Sequence, residues 1–294
     1  MKIKFRYFWA NFNPTNNIFQ QILNSELIDE FHSAKFIIEI HSVFVRPRRI
    51  YFWYLPVQIY IRKILRHIFR RKIIYIWYTG ELIAPPKGYD LTLSYAATNK
   101  NNIYWPLWAT YVDYAAIGSK FDRGHAPTMQ ELISGRSRSA LSSRQRKACA
   151  FISNPVDKRL RIARLLEVQG LLDIYGKAVG KPVISKSEIA RLYAFQFCFE
   201  NTIESGYVTE KPVEAWLDGT IPIYCGGNDN HLLNAAALID CTDISEPDLI
   251  DFIRQNMQDN PQNEKRSCEP ILSKAYDYSA FTNALMKIID LRKY

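Results

Sequence analysis

One segment in the second half of the chain has the pattern of a strand, a loop, a helix and a second strand. Residues 195–199 are an apolar run of strand length, and residues 221–225 are a second run that ends at two glycines. Between them, residues 210–219 predict a helix with Thr209 as its cap. Such a unit is typical of an open parallel sheet, in which ligands bind beyond the carboxyl ends of the strands. We therefore expect an anion to bind at this loop, attracted by Lys211 and by the amino end of the helix.

Composition and charge indicate a globular protein with an anionic partner. The 294 residues are enough for one large or two ordinary domains, and 48% of them are hydrophobic and 23% charged. The net charge of +9 favours a nucleotide, a phospholipid headgroup or a nucleic acid as the partner. The five cysteines are scattered, which favours reduced thiols over disulfides, and the histidines lack the spacing of metal ligands.

Strand and helix patterns alternate along most of the chain, which predicts parallel sheets with right-handed crossovers. A polar, basic and serine-rich stretch over residues 134–147 interrupts the alternation, and we interpret it as a linker. As a disordered basic segment it could instead touch phosphates of an acceptor. The sequence thus predicts an N-terminal domain over residues 1–140 and a C-terminal domain over residues 141–294.

Several ordered motifs resemble the signature of glycosyltransferase family 10, the α-1,3/4-fucosyltransferases. In the second half they are Ser153-Asn154-Pro155, Arg159-Leu160-Arg161, Asp173-Ile174-Tyr175-Gly176, Phe199-Glu200-Asn201, Tyr207-Val208-Thr209-Glu210-Lys211 and Gly219-Thr220-Ile221-Pro222-Ile223-Tyr224. In the first half the resemblance is carried by Tyr78-Thr79-Gly80-Glu81. It implies an α/β fold of the GT-B type, with two Rossmann-like domains that face each other across a cleft. The C-terminal domain would bind GDP-fucose and the N-terminal domain the acceptor.

The resemblance also implies roles for single residues. Glu81, just beyond a predicted strand, would be the general base for the acceptor hydroxyl, and one base without a covalent intermediate implies inversion. Arg159 and Lys211 would be the catalytic cations that stabilise the departing GDP. The further donor contacts implied by the family pattern are Tyr78, Asn201, Tyr207, Val208, Thr209, Glu210 and Arg161.

The sequence contains no Asp-X-Asp motif, so we expect no metal and no cofactor besides the donor substrate. The expected acceptor is an oligosaccharide or a lipid-linked glycan with GlcNAc or glucose, such as a lipopolysaccharide precursor. Three alternatives remain open: the same fold with another GDP-sugar, a non-catalytic glycan-binding relative, and a basic nucleic-acid-binding protein. The last would bind with a strong salt dependence, and the family resemblance leads us to expect no nucleic-acid partner.

Residues 61–72 place apolar residues at helical spacing and basic residues on the opposite face. They predict either a helix that lies on an anionic membrane surface or a core helix with a solvated basic face. No run approaches the roughly 18 apolar residues of a membrane span, and no signal peptide is recognisable. We therefore expect a cytoplasmic protein that lacks the anchor of a Golgi enzyme and is at most peripheral on an inner membrane.

Overall fold

The computed structural model of the protein describes residues 2–9, 11–26, 36–43, 57, 60–65, 73–85, 87–121, 124–137, 141–228, 231–258 and 261–291. Contacts divide the chain into two compact units, Met1–Met129 with Tyr276–Tyr294 and Gln130–Ala275. Each unit contains a five-stranded sheet in which every strand pair is parallel. The predicted α/β class with two Rossmann-like units is therefore confirmed.

The sheet of the first unit has its strands in the order of the chain. The strands are β1 (Lys2–Arg6), β2 (Ile37–His41), β3 (Ile73–Tyr78), β4 (Leu91–Ser94) and β5 (Asn102–Tyr104). Helix α1 (Ile18–Glu26) follows β1, a 3-10 helix (Leu107–Tyr111) follows β5, and β6 (Lys120–Phe121) pairs with β7 (Gly124–His125) as a small hairpin. Strand β3 is buried along almost its whole length, as expected for a parallel strand that is covered on both faces.

The sheet of the second unit has the order β12-β11-β10-β8-β9. Its strands are β8 (Gln145–Phe151), β9 (Leu172–Tyr175), β10 (Tyr193–Phe199), β11 (Ile221–Cys225) and β12 (Ile239–Asp240). Further α-helices are α2 (Met129–Ser134), α3 (Asp157–Val168), α4 (Lys186–Ala190), α5 (Lys211–Leu217), α6 (Glu246–Asn256), α7 (Pro261–Cys268) and α8 (Ser279–Asp290). The predicted strand, helix and strand around residues 195–225 correspond to β10, α5 and β11.

The division into units differs from the predicted domain limits in two places. The predicted limit at residue 140 lies inside the second unit, and α8, which the sequence assigns to the C-terminal domain, belongs to the first unit. The reason is apolar packing: Phe281, Leu285 and Ile289 of α8 are buried, and the Phe281 ring lies edge-on to Trp105 with 5.7 Å between the centroids.

The predicted linker, and the alternative of a disordered basic segment, are both wrong for residues 141–147. Leu141 is buried in the core of the second unit, and β8 begins at Gln145. Arg144 donates hydrogen bonds to the main-chain carbonyls of Tyr193 (3.3 Å) and Asp218 (2.9 Å). Because these bonds satisfy its guanidinium internally, Arg144 is a structural cation of the second unit. Residues 138–140 lie outside the described residues.

Residues 61–65 of the predicted basic helix are helical, and residues 66–72 lie outside the described residues. The orientation of the described turns is opposite to that of a core helix. Ile61, Ile64 and Leu65 are 44–45% exposed. Arg62 and Lys63 instead form ion pairs with Glu39 (2.8 Å) and Asp90 (3.2 Å) of the first unit. Within the described ranges, every helix is too short or too polar to cross a membrane.

Candidate functional site

A pocket of about 300 Å³ lies at the carboxyl end of β10, within the second unit. Its lining comes from the start of α3, from the end of β10 with the loop that follows it, and from the end of β11. The lining residues are Val156, Lys158, Arg159, Phe199, Glu200, Asn201, Thr202, Ile203 and Cys225. The position agrees with the expectation from sequence, because the carboxyl ends of parallel strands meet at one edge of the sheet.

Arg159 on α3 is a buried cation with an unused donor. Its side chain reaches across the pocket, where Nη1 donates to Oδ1 of Asn201 and Nη2 to the carbonyl of Asn154, both at 2.6 Å. The buried Nε–H has no acceptor among the described residues. Burial lowers the pKa of Arg159 and the nearby Glu200 carboxylate opposes this, but a guanidinium keeps its proton in proteins. A buried cation with a spare N–H at a pocket is suited to an anionic ligand.

Glu200, Thr209 and Lys211 form a compact cluster beside this pocket. Oε1 of Glu200 accepts hydrogen bonds from the backbone N–H and the hydroxyl of Thr209, both at 2.8 Å. Oε2 accepts from Nζ of Lys211 at 2.5 Å, and the same ammonium donates to Oγ1 of Thr209 at 2.9 Å. Burial lowers the pKa of Lys211, but the Glu200 and Glu210 carboxylates together more than offset this and raise it above its ordinary value. Lys211 is therefore a fixed cation.

The predicted capping role of Thr209 is wrong. Helix α5 has Glu210 at its N-cap position, without a side-chain capping bond. The Thr209 hydroxyl donates to Glu200, and it is 3.5 Å from the backbone N of Lys211, which is too long for an effective cap. Since α5 has only seven residues, we assign the attraction for an anion to the side chains of Arg159 and Lys211.

The other residues predicted to contact the donor lie in different surroundings. Asn201 lines the pocket and holds Arg159. Tyr207 and Val208 are buried at 2% exposure in the loop before α5, and Glu210 is half-buried there. Arg161 is exposed and forms an ion pair with Glu246 of α6. Arg159 and Arg161 point in different directions because residues two apart on a helix do not share a face.

The two candidate residues of the first unit lie at the end of β3: Tyr78 is its last residue, and Glu81 is in the turn that follows. Tyr78 is fully buried, and its hydroxyl lies 2.7 Å from that of Thr110. Its surroundings are those of a packing residue. Glu81 lies just beyond the strand, half-buried, in a turn that the hydroxyl of Thr79 braces by accepting the backbone N–H of Glu81 at 3.0 Å. The predicted position of Glu81 at a strand end is thus observed.

Two features of the pocket were missed by the sequence interpretation. One is Glu200, which stands in the Phe199-Glu200-Asn201 motif but was given no role, directly after a strand that is buried along its whole length. The other is Gly227, where a Cβ would lie 1.7 Å from the carbonyl oxygen of Glu204. The absence of a side chain there lets the loop after β10 pack against the end of β11. No group of three or more His, Cys, Asp or Glu side chains that could hold a metal ion occurs in the described part of the chain.

Residues 141–266 match the model of the C-terminal domain of glycosyltransferase family 10 (fucosyltransferase). This segment is a family 10 glycosyltransferase domain. It contains the whole of the pocket lining, together with Thr209 and Lys211. Arg159 and Lys211 therefore both lie within the matched segment.

Two relatives agree with this assignment over parts of the chain. Over 48 residues the chain is 50% identical to the α-(1,3)-fucosyltransferase FucT of Helicobacter pylori, which is 16% of this chain and 10% of that protein. Over 126 residues it is 28% identical to human 4-galactosyl-N-acetylglucosaminide 3-α-L-fucosyltransferase 9, which is 40% of this chain and 35% of that protein. The matched segments thus span a tenth and about a third of these relatives.

The fold is similar to that of a solved α1,3-fucosyltransferase whose crystal structure contains GDP-fucose. The TM-score is 0.67 at 20% sequence identity, and the similarity covers 100% of this chain and 90% of the other. At this identity the similarity concerns the fold. It confirms the GT-B type that the sequence motifs imply.

Proposed function

We propose that the protein is an inverting fucosyltransferase. It would transfer L-fucose from GDP-β-L-fucose to a hydroxyl of a glycan with GlcNAc or glucose, forming an α-1,3 or α-1,4 linkage. The observation that carries the proposal is the buried Arg159 with its spare Nε–H, next to Lys211, in a family 10 domain. The family and the names of the relatives favour GDP-fucose as the anionic ligand.

The two cations would act on the diphosphate of the donor. Negative charge on the β-phosphate grows as the bond to fucose breaks, and fixed cations stabilise that charge without reorganising. Arg159 can offer N–H groups in a planar fork, and Lys211 acts as a point charge. Asn201 would keep the guanidinium in place through its 2.6 Å hydrogen bond.

Glu81 would be the general base of the reaction. A sugar hydroxyl is a weak nucleophile, so a carboxylate must accept its proton while the new bond forms. In this single step the acceptor oxygen bonds to C1 of fucose, and the bond from C1 to the phosphate oxygen breaks. The electron pair leaves with GDP and the proton goes to Glu81. The position of Glu81 at the end of β3, in a turn braced by Thr79, supports this role.

Arg159 and Lys211 supply positive charge for the diphosphate, so we propose that the reaction needs no metal or other cofactor. We expect transfer to continue at an unchanged rate in the presence of a chelator such as EDTA. A rate that falls in EDTA and returns on addition of a divalent cation would contradict this part of the proposal.

We also propose that the protein is cytoplasmic and acts at a membrane surface, on a lipid-linked or oligosaccharide acceptor such as a lipopolysaccharide precursor. The exposure of Ile61, Ile64 and Leu65 supports an apolar contact with lipid. Sedimentation with vesicles tests it: a variant with Ile64→Asn and Leu65→Asn should pellet less with anionic phospholipid vesicles than the parent does. Equal pelleting of the two would contradict the membrane contact.

The direct test of the reaction is an assay with GDP-fucose and a panel of acceptors that includes lactose and N-acetyllactosamine. We expect Glu81→Gln to lower turnover by about 10²- to 10⁴-fold, the usual contribution of a general base, and to bind GDP as the parent does. Glu204→Gln, which changes an exposed acid in the same way, is the control. Transfer by Glu81→Gln at the parent rate would place the base elsewhere.

Binding measurements, together with the transfer assay, separate the alternatives. Tighter binding of GDP-mannose than of GDP-fucose would favour another GDP-sugar as the donor. Salt-sensitive binding of a DNA duplex without any affinity for GDP would favour a nucleic-acid-binding protein. Binding of the glycan without transfer would favour a non-catalytic relative.

A further inference from the structure

Glu200 is a buried acid that the proposed reaction does not use directly. Its side chain is 0% exposed and borders the pocket. A negative charge at this position repels a diphosphate, and burial of an unpaired carboxylate costs several kcal/mol. The carboxylate of Glu200 is nevertheless hydrogen-bonded through both oxygens. The presence of an acid beside a site for an anion therefore requires an explanation.

The hydrogen bonds of Glu200 fix Thr209 and Lys211, which lie at the far end of the loop between β10 and α5. The carboxylate binds the Lys211 ammonium, and it also binds both the backbone N–H and the hydroxyl of Thr209. A lysine side chain is flexible and loses about 2 kcal/mol of rotamer entropy when it is immobilised. In this protein the Lys211 ammonium is held by its hydrogen bonds to Glu200 and Thr209. An ammonium has three protons, of which Glu200 and Thr209 take two.

Glu200 also balances the two cations electrostatically. Burial lowers the pKa of both Lys211 and Arg159, and the Glu200 carboxylate opposes this at both cations, whereas Arg159 lowers the pKa of Lys211 further. The other groups that act on the cations are Glu210, on Lys211, and Tyr207, on Arg159. Glu200 therefore allows the positive charges of the buried Arg159 and the half-buried Lys211 to lie near each other.

We propose that Glu200 is a positioning residue for the diphosphate of a nucleotide sugar. It holds the Lys211 ammonium so that the third proton of Lys211 and the Nε–H of Arg159 are both available to phosphate oxygens. This inference rests on the proposed function, because it requires a diphosphate as the ligand.

Calorimetric titration of GDP against the full chain, from about pH 7 to about pH 9.5, tests the inference. The variant is Glu200→Gln, which keeps the shape of the side chain and removes its charge. We expect affinity at least about tenfold lower than that of the parent, and a further fall at alkaline pH. The fall arises because burial, no longer offset by the Glu200 carboxylate, lowers the pKa of Lys211. The parent and the control Glu204→Gln should bind GDP without this pH dependence. Glu200→Asp, which keeps the negative charge, should have a GDP affinity between those of Glu200→Gln and the parent.

A double-mutant cycle with Lys211→Met shows whether Glu200 acts through Lys211. Lys211→Met alone leaves a buried carboxylate uncompensated and should lower the melting temperature, whereas the double variant Glu200→Gln/Lys211→Met should recover it. We expect the double variant to bind GDP no more weakly than Lys211→Met does. If Glu200→Gln alone does not fold, the comparison of the double variant with Lys211→Met still shows whether the loss of Glu200 lowers GDP affinity when Lys211 is absent.

Two results would overturn the inference: GDP affinity of Glu200→Gln equal to that of the parent at every pH, or effects of the two substitutions on GDP affinity that add. Neither result touches the proposed function. A parent protein without measurable affinity for GDP would instead refute the proposed function itself.

Discussion

Replacing Arg159 by methionine separates the role of this side chain in ligand binding from its role in stability. Methionine retains the apolar stem and removes the guanidinium. The substitution removes two hydrogen bonds of 2.6 Å, to Asn201 and Asn154. It also removes the spare Nε–H and one of the cations near the pocket.

The two effects have different expected sizes. Asn154 is exposed and Asn201 borders the pocket, so water can replace the lost bonds to both. Removal of a buried charge also relieves its desolvation, so we expect the free energy of unfolding to fall by only about 1–2 kcal/mol. Hydrogen bonds to charged groups are worth about 1.5–3 kcal/mol each. The loss of one such bond, from the spare Nε–H to a diphosphate, corresponds to an affinity about ten- to a hundredfold lower.

Thermal unfolding and calorimetric titration of GDP measure the two quantities on the same samples. Arg159→Lys, which keeps the charge without the fork, should bind GDP with intermediate affinity. Arg164→Met removes an exposed cation from the same helix, where it pairs with Glu167, and should change neither quantity appreciably. A large fall in melting temperature with GDP affinity within about threefold of the parent would refute the reasoning, because Arg159 would then be a structural cation.

Two further predictions concern neighbouring positions. Tyr78→Phe removes a buried hydroxyl that bonds to Thr110, so we expect the stability of the protein to fall by about 1 kcal/mol while GDP affinity is unchanged. A loss of GDP affinity without a change in melting temperature would instead return Tyr78 to the donor contacts. Gly227→Ala places a Cβ 1.7 Å from the carbonyl oxygen of Glu204, so we expect melting temperature and GDP affinity to fall together. Parent-like values of both would show that the loop does not require this close approach.

The central unit of the second sheet could be predicted from sequence because its signals are local. Apolar runs of strand length fix β10 and β11 to within a few residues, and Gly219 and Gly226 bound the second of these runs. The helix between them was also predicted, but its cap was not. Capping depends on which acceptor Thr209 meets, and that acceptor is Glu200, nine residues earlier in the chain.

The basic helix shows a different limit of sequence interpretation. Periodicity indicates which residues share a face, and it does not indicate which face is turned inward. Arg62 and Lys63 are turned toward the first unit because Glu39 and Asp90 offer buried carboxylates there. Those partners are distant in sequence and no local pattern reveals them.

The same limit applies to single cations of the candidate site. Arg159 and Arg161 stand in one motif, and only the three-dimensional structure distinguishes them. Arg159 is buried at the pocket, whereas Arg161 is exposed and paired with Glu246. Family resemblance identifies a motif, and burial and hydrogen bonding then determine which of its members can meet a ligand.

The central claim is that the cations of the second unit bind GDP-fucose for transfer to a glycan hydroxyl. The most direct test is to incubate the full chain with GDP-fucose and the acceptor panel and to determine the linkage in the product by NMR. The account predicts release of GDP and an α-linked fucose on the acceptor, with at least a tenfold lower yield for Arg159→Met under the same conditions. Intact GDP-fucose after incubation with every acceptor, together with no measurable binding of GDP, would contradict it.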